Sequence, residues 1–304
     1  MQKTIFILLF FVLSFLQSNA QTKKLPNTQK KNNADIKTNK ALFTIFKDEK
    51  YIAIDNTGKE VLKFNLEGLT QLGEYNEGMC IALFNNLIGY VNDKGEIAIP
   101  AKYKNGRAFS EGLAAVYFDD QWGYINKKGL VVIGSKFEFA GLFKCGRARI
   151  REGAGVHAKW GYIDSTGNYI IKPQFEKAAD FSEDMAMVVV NGKYGYINKS
   201  GELAIKPQYD YTLPFTVGGV EIFSVGNFSD GLACVMKGVK YGYIDKTGAE
   251  IIPFSFFGAG NFSGGLAPAS IKGMIYGFID KKGKFVIPEK YSVAESFSEG
   301  LAAV

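Results

Sequence analysis

The chain is poor in the side chains on which most enzyme mechanisms depend. Histidine occurs once in 304 residues, as His157, inside residues 153–159. A lone imidazole excludes zinc sites that need two histidines, and a Ser-His-acid triad would depend on this residue alone. Residues 153–159 also form a turn four residues longer than its counterparts in the chain. We therefore expect an exposed loop histidine and a protein that is not an enzyme, with no cofactor and no metal.

Carboxylates are more plentiful, with 30 Asp and Glu residues in all, so composition leaves a pair of catalytic carboxylates open. One set recurs at a fixed place, just before a turn, where Asp and Asn alternate. A general acid could not be exchanged for an amide, whereas a side chain that caps a turn could. We therefore expect a structural role for Asp55, Asn92, Asn126, Asp164, Asn198, Asp245 and Asp280.

Aromatic residues make up 14% of the chain and are the first candidates for binding. Five of them occupy the same place before a Gly-aromatic pair: Trp122, Trp160, Tyr194, Tyr241 and Tyr276. A ladder of such rings facing solvent would suit sugar rings or an extended peptide. A ladder facing inward would be core, and this interpretation is favoured because the neighbouring Gly and Ile residues could not fill a core by themselves.

A second candidate surface is the irregular segment of residues 211–226, which contains Tyr211, Phe215 and Phe223. It exceeds the usual spacing by about twelve residues, and insertions in repeat proteins often map to the binding face. An additional hairpin that only packs on its neighbours is the favoured interpretation.

These residues belong to an internal repeat. The unit reads aromatic-Gly-aromatic-(Ile/Val)-(Asp/Asn)-x-x-Gly, with Ile88 in the leading place of its first clear copy. A degenerate copy begins at Tyr51, where Ile52 replaces the glycine. The leading glycines are separated by steps of 34, 38, 34, 47 and 35 residues, and they are Gly89, Gly123, Gly161, Gly195, Gly242 and Gly277.

Each copy has companions: an apolar strand that closes on Pro, then an aromatic, then Phe-Ser-acid-Gly-Leu-Ala. The last element begins at Phe109, Phe228 and Phe297, with a looser form at Phe181. This repeated sequence pattern resembles that of the WG-repeat (KWG-type) family of bacterial proteins over about residues 42–304. The resemblance implies an interaction module without a settled activity.

Local patterns predict the structure of one repeat. In the copy at Trp122, the β-prone segments 113–117 and 122–126 are separated by a polar Phe-Asp-Asp-Gln stretch, which predicts a hairpin. Residues 126–129 form a turn with glycine in the left-handed position. An apolar third strand returns after it. Glycine inside a strand is unfavourable, so we expect an aromatic from a neighbouring strand or repeat to approach it closely.

One such meander is too small to bury its aromatics, so the copies must share a core. The sequence therefore predicts an all-β tandem array of antiparallel three-stranded meanders in residues 41–304, about seven repeats with an eighth begun at Phe297 and apparently truncated. An open, solenoid-like array is favoured, because the first unit already has its own leading strand. The alternative is a closed β-propeller, whose blades need four strands.

The first forty residues are predicted to be an export signal followed by a flexible tether. A positive start and an apolar run at residues 5–16, too short to span a bilayer, precede Ser18, Asn19 and Ala20. Residues 1–20 are predicted to be a signal peptide cleaved near Ala20, the alternative being an uncleaved anchor. Residues 21–40 are predicted to be a disordered Lys/Asn-rich tether. The protein is therefore expected to be exported and to be periplasmic or extracellular after cleavage. It would contact the membrane only through the signal peptide, before cleavage.

Charge and cysteine content narrow the partners further. The net charge of +6 comes from residues 1–40, which hold seven Lys and one Asp, so the remainder is neutral and gives no support for nucleic-acid binding. Cys80, Cys145 and Cys234 are odd in number and lie in non-adjacent repeats, so we expect core residues and not bridges. The favoured function is a protein-interaction or scaffolding module of the cell envelope, and the alternative is a glycan- or peptidoglycan-binding array that uses the repeat aromatics.

Overall fold

The computed structural model describes residues 42–153, 155–210, 215–217, 220–222, 226–298 and 300–304. The predicted signal peptide and tether lie outside these residues. Within them, the structure consists of β-strands joined by turns, with one short 3₁₀ segment at Gly155–His157. The all-β class is confirmed. The chain divides into two compact units, whose described parts fall within residues 42–181 and 182–304.

The first unit contains a series of antiparallel meanders. Its opening sheet has three strands, β1 (Phe43–Lys47), β2 (Lys50–Ile54) and β3 (Glu60–Lys63). The next sheet is β4 (Leu69–Asn76), β5 (Met79–Phe84), β6 (Leu87–Asn92) and β7 (Ile97–Tyr103), and it is followed by β8 (Asn105–Gly106), β9 (Leu113–Phe118), β10 (Gln121–Asn126) and β11 (Val131–Phe137). The last is β12 (Phe139–Lys144), β13 (Arg147–Glu152), β14 (Lys159–Ile163) and β15 (Tyr169–Phe175), before the short β16 (Lys177–Ala178).

The second unit repeats this pattern. It contains β17 (Met185–Val190), β18 (Lys193–Asn198) and β19 (Leu203–Asp210), then the hairpin β20 (Phe215–Val217) and β21 (Val220–Ile222). The following sheets are β22 (Ala233–Lys237), β23 (Lys240–Ile244) and β24 (Glu250–Phe256), and β25 (Gly258–Ala259), β26 (Ala267–Ser270), β27 (Tyr276–Ile279) and β28 (Phe285–Tyr291). Repeats are thus confirmed in both units.

A fourth strand corrects the predicted three-stranded meander. The segment ahead of the hairpin pairs with the first strand, as Asn105 does with Tyr117, and it forms β4, β8, β12 and β25. Its link to the hairpin is a tight turn, in which Glu111 and Gly112 both have positive φ, 52° and 81°. Because β8 and β25 are only two residues long, they carry no alternating pattern that the sequence could display.

The Asx turns are confirmed as predicted. The Asn126 Oδ1 atom accepts hydrogen bonds from Lys128 N at 3.0 Å and Leu130 N at 3.1 Å, and Gly129 has φ of 75°. The same two bonds recur at Asp55, Asn92, Asp164, Asn198, Asp245 and Asp280.

Replacing Asn126 by alanine should therefore lower the free energy of unfolding by about 1–2 kcal/mol, since two hydrogen bonds of about 0.5–1.5 kcal/mol each are lost in partly exposed surroundings. Asn126→Asp should change it by less than about 0.5 kcal/mol, because an Asp side chain makes the same bonds in sister repeats. Urea denaturation followed by circular dichroism measures both. Equal losses in the two variants would contradict the capping role.

The leading glycine is explained by backbone approach. The sequence predicts an aromatic neighbour, and Phe118 does lie close to Gly123, but the feature that all six copies share is a carbonyl of the next strand. A Cβ atom on Gly123 would lie 2.6 Å from the Ile133 oxygen. The register between β10 and β11 shifts at this point, which brings the two backbones together. The corresponding carbonyls belong to Ile99, Ile171, Ile205, Ile252 and Ile287.

Successive repeats share a core through the second aromatic of the motif. The Tyr124 ring meets the Phe143 ring edge-on at 4.9 Å, and its hydroxyl donates to Gly141 O at 2.9 Å. Burial raises the pKa of Tyr124, which keeps the hydroxyl a neutral donor. Equivalent ring pairs, with centroids 4.8 to 5.0 Å apart, are Tyr90–Phe109, Tyr162–Phe181, Tyr196–Phe228, Tyr243–Phe262 and Phe278–Phe297.

Candidate functional site

The five leading aromatics do not all share one environment. Trp122, Trp160 and Tyr194 are buried, with 9%, 8% and 0% of their surfaces exposed. Tyr241 and Tyr276 are partly exposed. Tyr276 borders an open cleft of about 450 Å³ with Gly260, Pro268 and Val293. For the first three residues the structure has the inward-facing arrangement that the sequence favours, and their ring faces are not open to a sugar.

The irregular segment is described only in part. Phe215 begins β20, which pairs with β21 to form the predicted additional hairpin. Tyr211 and Phe223 lie outside the described residues.

The remaining single residues are placed as follows. His157 ends the 3₁₀ segment and is exposed, as predicted. Cys80 and Cys234 are buried, and burial raises the pKa of each thiol to about 12. Cys145 differs from the prediction: it is partly exposed in a tight turn, with φ of 54°, because it takes the turn position that Glu111 has one repeat earlier. All three are free thiols.

A cluster of arginines and aromatic rings, which the sequence analysis does not predict, lies in the first unit. We call Arg107, Arg149, Arg151, Trp122, Trp160 and Phe139 the arginine–tryptophan cluster. The Arg107 guanidinium lies 4.5 Å from the centre of the Phe139 ring and 5.1 Å from that of Trp122. Arg149 lies 5.3 Å from Phe139 and 5.2 Å from Trp160. Arg151 lies 5.6 Å from the centre of the Trp160 ring.

The backbone elements explain how these side chains meet. Arg149 and Arg151 point the same way because they are two residues apart on β13, opposite Tyr162 and Trp160 of β14. Arg107 follows β8 and reaches the next sheet, where its Nε donates to Ala140 O at 2.8 Å. A Cβ atom on Gly141 would lie 2.8 Å from Arg149 Cγ, so glycine leaves room for the arginine to pass.

The acidic neighbours balance only part of this charge. Arg149 Nε lies 2.7 Å from Asp180 Oδ1, an ion-pair distance, although the two atoms do not form a well-aligned hydrogen bond. Arg149 Nη1 donates to Ala178 O at 2.9 Å, and Arg151 Nη2 lies 3.1 Å from Glu138 Oε1. Burial, and then repulsion from Arg149, lower the pKa of Arg107.

A second feature is the last strand of each repeat. We call β7, β11, β15, β19, β24 and β28 the outer strands, since each ends its sheet. Every one presents a large apolar side chain that is 37–54% exposed: Ile97, Val131, Ile170, Leu203, Ile251 and Val286. Within each unit, successive outer strands begin next to each other. The reason is that the turn that leads into one outer strand packs against the previous outer strand. A Cβ atom on Gly129, for example, would lie 3.2 Å from Ile99.

Neither a metal cluster nor a membrane helix is found in the part of the chain that the structure describes. Its His, Cys, Asp and Glu residues form no group of three that could hold a metal ion. No helix among these residues is long and apolar enough to cross a membrane.

The repeat geometry agrees with a comparison against known families. The family described as WG containing repeat matches residues 88–122, 122–154, 160–194, 194–220, 241–274 and 276–304. The chain belongs to the WG-repeat family. In this WG-repeat chain, the glycine of each matched copy lies where a side chain would collide with the next strand.

Solved structures with some similarity to the WG-repeat chain include three from other proteins. The crystal structure of the eukaryotic initiation factor has a TM-score of 0.61 at 13% identity, covering 90% of this chain and 80% of that one. AztD from Citrobacter koseri has a TM-score of 0.46 at 12% identity, covering 84% and 82%. BamB from Moraxella catarrhalis has a TM-score of 0.44 at 14% identity, covering 77% and 80%. No curated protein matches the sequence.

Proposed function

We propose that this WG-repeat chain is an exported, non-catalytic protein that acts as a protein-interaction or scaffolding module of the cell envelope. The observation that carries the proposal is the repeated exposure of large apolar side chains on the outer strands. Solvent-exposed apolar residues gathered on one part of a surface are typical of sites that bind other proteins.

The outer strands suit contact through side chains more than the addition of a strand. Five of the six contain proline, which has no N–H to donate to an incoming strand and so discourages edge-to-edge pairing. These residues are Pro100, Pro173, Pro207, Pro253 and Pro288. A partner protein would therefore bury Ile97, Val131 and the exposed apolar residues of the other outer strands against apolar side chains of its own.

Stacking of sugars on the leading aromatics has less support. Trp122 and Trp160 are the rings best suited to bind a sugar, and both are covered by neighbouring side chains. The glycan-binding alternative is therefore an outcome of the experiment below and not a second proposal.

Export is supported by residues 1–20, which have the order of a signal peptide: positive start, short apolar run, small residues at 18–20. We expect the mature protein in the periplasm or medium to begin at Gln21. N-terminal sequencing of the protein from cell fractions measures this, and a cytoplasmic chain that retains Met1 would contradict export.

The open array is also part of the proposal, supported by β1, which already pairs with β2 as the leading strand of the first sheet. The four-stranded sheets would equally suit propeller blades. Small-angle X-ray scattering separates the two, because a compact ring of residues 41–304 should have a radius of gyration near about 18 Å and an open array a clearly larger one.

The function is tested by capture of partners from the envelope fraction of the same cells. Val131 and Ile170 lie on neighbouring outer strands, so Val131→Lys/Ile170→Lys removes two apolar contacts and adds two charges. We expect this variant to capture at least about tenfold less partner, since each buried aliphatic side chain is worth about 1.5–3 kcal/mol. Val239→Lys is the matched control, because Val239 is exposed at a hairpin tip, away from the outer strands.

The outcomes separate the possible functions. Equal capture by the wild type and both variants would exclude the outer strands as the binding surface. Retention of glycan fragments with no protein captured would replace the protein-interaction function by glycan binding. Turnover of substrates from a hydrolase panel would contradict the non-catalytic assignment.

A further inference from the structure

Arginine is used in only one part of this protein. The sequence has four arginines among 36 basic residues: Arg107, Arg147, Arg149 and Arg151. Three of them form the arginine–tryptophan cluster, together with both tryptophans of the chain. Apart from Arg147, the basic residues outside the cluster are all lysines. Arginine differs from lysine in its planar, forked set of donors, which matches a carboxylate, and in its affinity for aromatic faces.

The fold itself does not require these arginines. The residue opposite the second aromatic of the motif is Arg149 in one repeat and uncharged in the others: Ile81, Ala115, Met187, Cys234 and Pro268. The residue opposite the leading place of the motif is likewise Arg151 in this repeat, and Leu83, Tyr117, Val189 or Met236 elsewhere. Sister repeats therefore form the same sheet with uncharged residues at both places.

The cluster also retains donors that the protein does not use. The Arg107 Nε atom donates its hydrogen bond to Ala140 O, and the described residues offer no acceptor to the two Nη atoms of Arg107. Arg149 has one such Nη atom and Arg151 another, beside the bonds given above. The side chains of Arg149 and Arg151 are 20% and 36% exposed, so a ligand could reach them.

The cluster and its acidic neighbours together carry one net positive charge. Three guanidinium groups face two carboxylates, Asp180 and Glu138. The rings of Trp122, Phe139 and Trp160 hold the guanidinium planes and reduce their contact with water, which strengthens the attraction for an anion.

We propose that the arginine–tryptophan cluster binds a carboxylate group of a protein partner, either an acidic side chain or a C-terminus. Arg107 and Arg149 supply the forked donors and Arg151 adds charge at the rim. Assignment of the carboxylate to a protein rests on the proposed function. An acidic sugar fits less well, because the two indole faces on which its ring would stack are already occupied by guanidinium groups.

The chain carries its own reporter for the test. Trp122 and Trp160 are its only tryptophans, and both contact the cluster, so intrinsic fluorescence reports directly on binding there. The full mature chain is titrated with N-acetylglutamate amide for a side-chain carboxylate and N-acetylglycine for a C-terminal one. N-acetylglutamine amide is the uncharged control, and galacturonate is the acidic sugar.

We expect a saturable change in tryptophan emission with one or both peptide carboxylates, and at least tenfold weaker binding of the glutamine compound. Arg107→Gln should weaken carboxylate binding tenfold or more, and Arg107→Lys, which keeps the charge and loses the fork, should weaken it severalfold. Lys144→Gln removes an exposed charge from the neighbouring strand β12 and should leave binding unchanged.

Equal responses to the glutamate and glutamine compounds in the wild type would overturn the proposal, and this comparison does not depend on whether any variant folds. Tighter binding of galacturonate than of either peptide carboxylate would overturn the assignment to a protein. Failure of the envelope capture with carboxylate binding intact would reject the proposed function and leave the carboxylate site standing, whereas the reverse result would reject only the carboxylate site.

Discussion

Replacing Gly123 by alanine should lower the free energy of unfolding by about 3 kcal/mol, the upper part of the range for overpacked sites. The added Cβ would lie 2.6 Å from Ile133 O and 2.9 Å from Gly134 C, both of them backbone atoms. The backbone of a hydrogen-bonded strand cannot move aside as a flexible side chain can, so the outer strand β11 must separate from β10. The loss of strand pairing should be seen in urea denaturation followed by circular dichroism, and in faster amide exchange in β11.

Gly134→Ala is the matched control for this prediction. Gly134 lies on β11 in the same sheet, and a Cβ built there would meet no atom within 4 Å. Because alanine is less flexible in the unfolded chain, we expect this variant to be as stable as the wild type or slightly more stable. Similar destabilisation by both substitutions would mean that the close approach of the two strands is not the reason for glycine at position 123.

Replacing Phe143 by alanine should cost about 3–5 kcal/mol, as is usual for a buried phenylalanine. Phe143 is 1% exposed, and it lies in one cluster with residues from the repeat before it and from its own repeat. Its loss leaves a cavity at the place where two repeats share their core. It also removes the edge-on partner of Tyr124, whose hydroxyl bonds to the connecting segment. Thermal and urea unfolding measure the effect.

Two further variants define the origin of that loss. Leu130→Ala, at a residue 61% exposed, should change the stability by less than about 0.5 kcal/mol. Tyr124→Phe removes only the hydroxyl and should cost about 1 kcal/mol, because Phe278 occupies the same place in the last repeat without that bond. If Phe143→Ala were no more harmful than Leu130→Ala, the repeats would not depend on a shared core.

Several features of the fold were predictable because they depend on neighbouring residues. The Asx turn at Asn126 needs only a side-chain oxygen, two amides within four residues and a glycine. The hairpin before it needs a short polar stretch between two β-prone segments. The family was predictable for a related reason, since each repeat contains the same short sequence motif.

The candidate site was less predictable. The sequence placed weight on the leading aromatics and gave two interpretations, and the structure buries Trp122, Trp160 and Tyr194. It did not single out Arg149, although a signal was present: residues 147–151 read Arg-Ala-Arg-Ile-Arg where other repeats have an apolar strand. Arginines at strand positions opposite the motif, where the other repeats have uncharged residues, could have indicated the site.

By itself, then, the sequence determined the repeat unit, its turns, its all-β class and its family, since hydrogen bonds and side-chain patterns within about ten residues specify these. Only the tertiary structure decided that a fourth strand joins several sheets, that Gly123 faces a carbonyl, and that Arg107 meets Trp122 and Phe139. These features join residues that are distant in the chain, such as Arg149 and Asp180. Which residues meet at such distances depends on how one repeat packs on the next, and no local pattern records that packing.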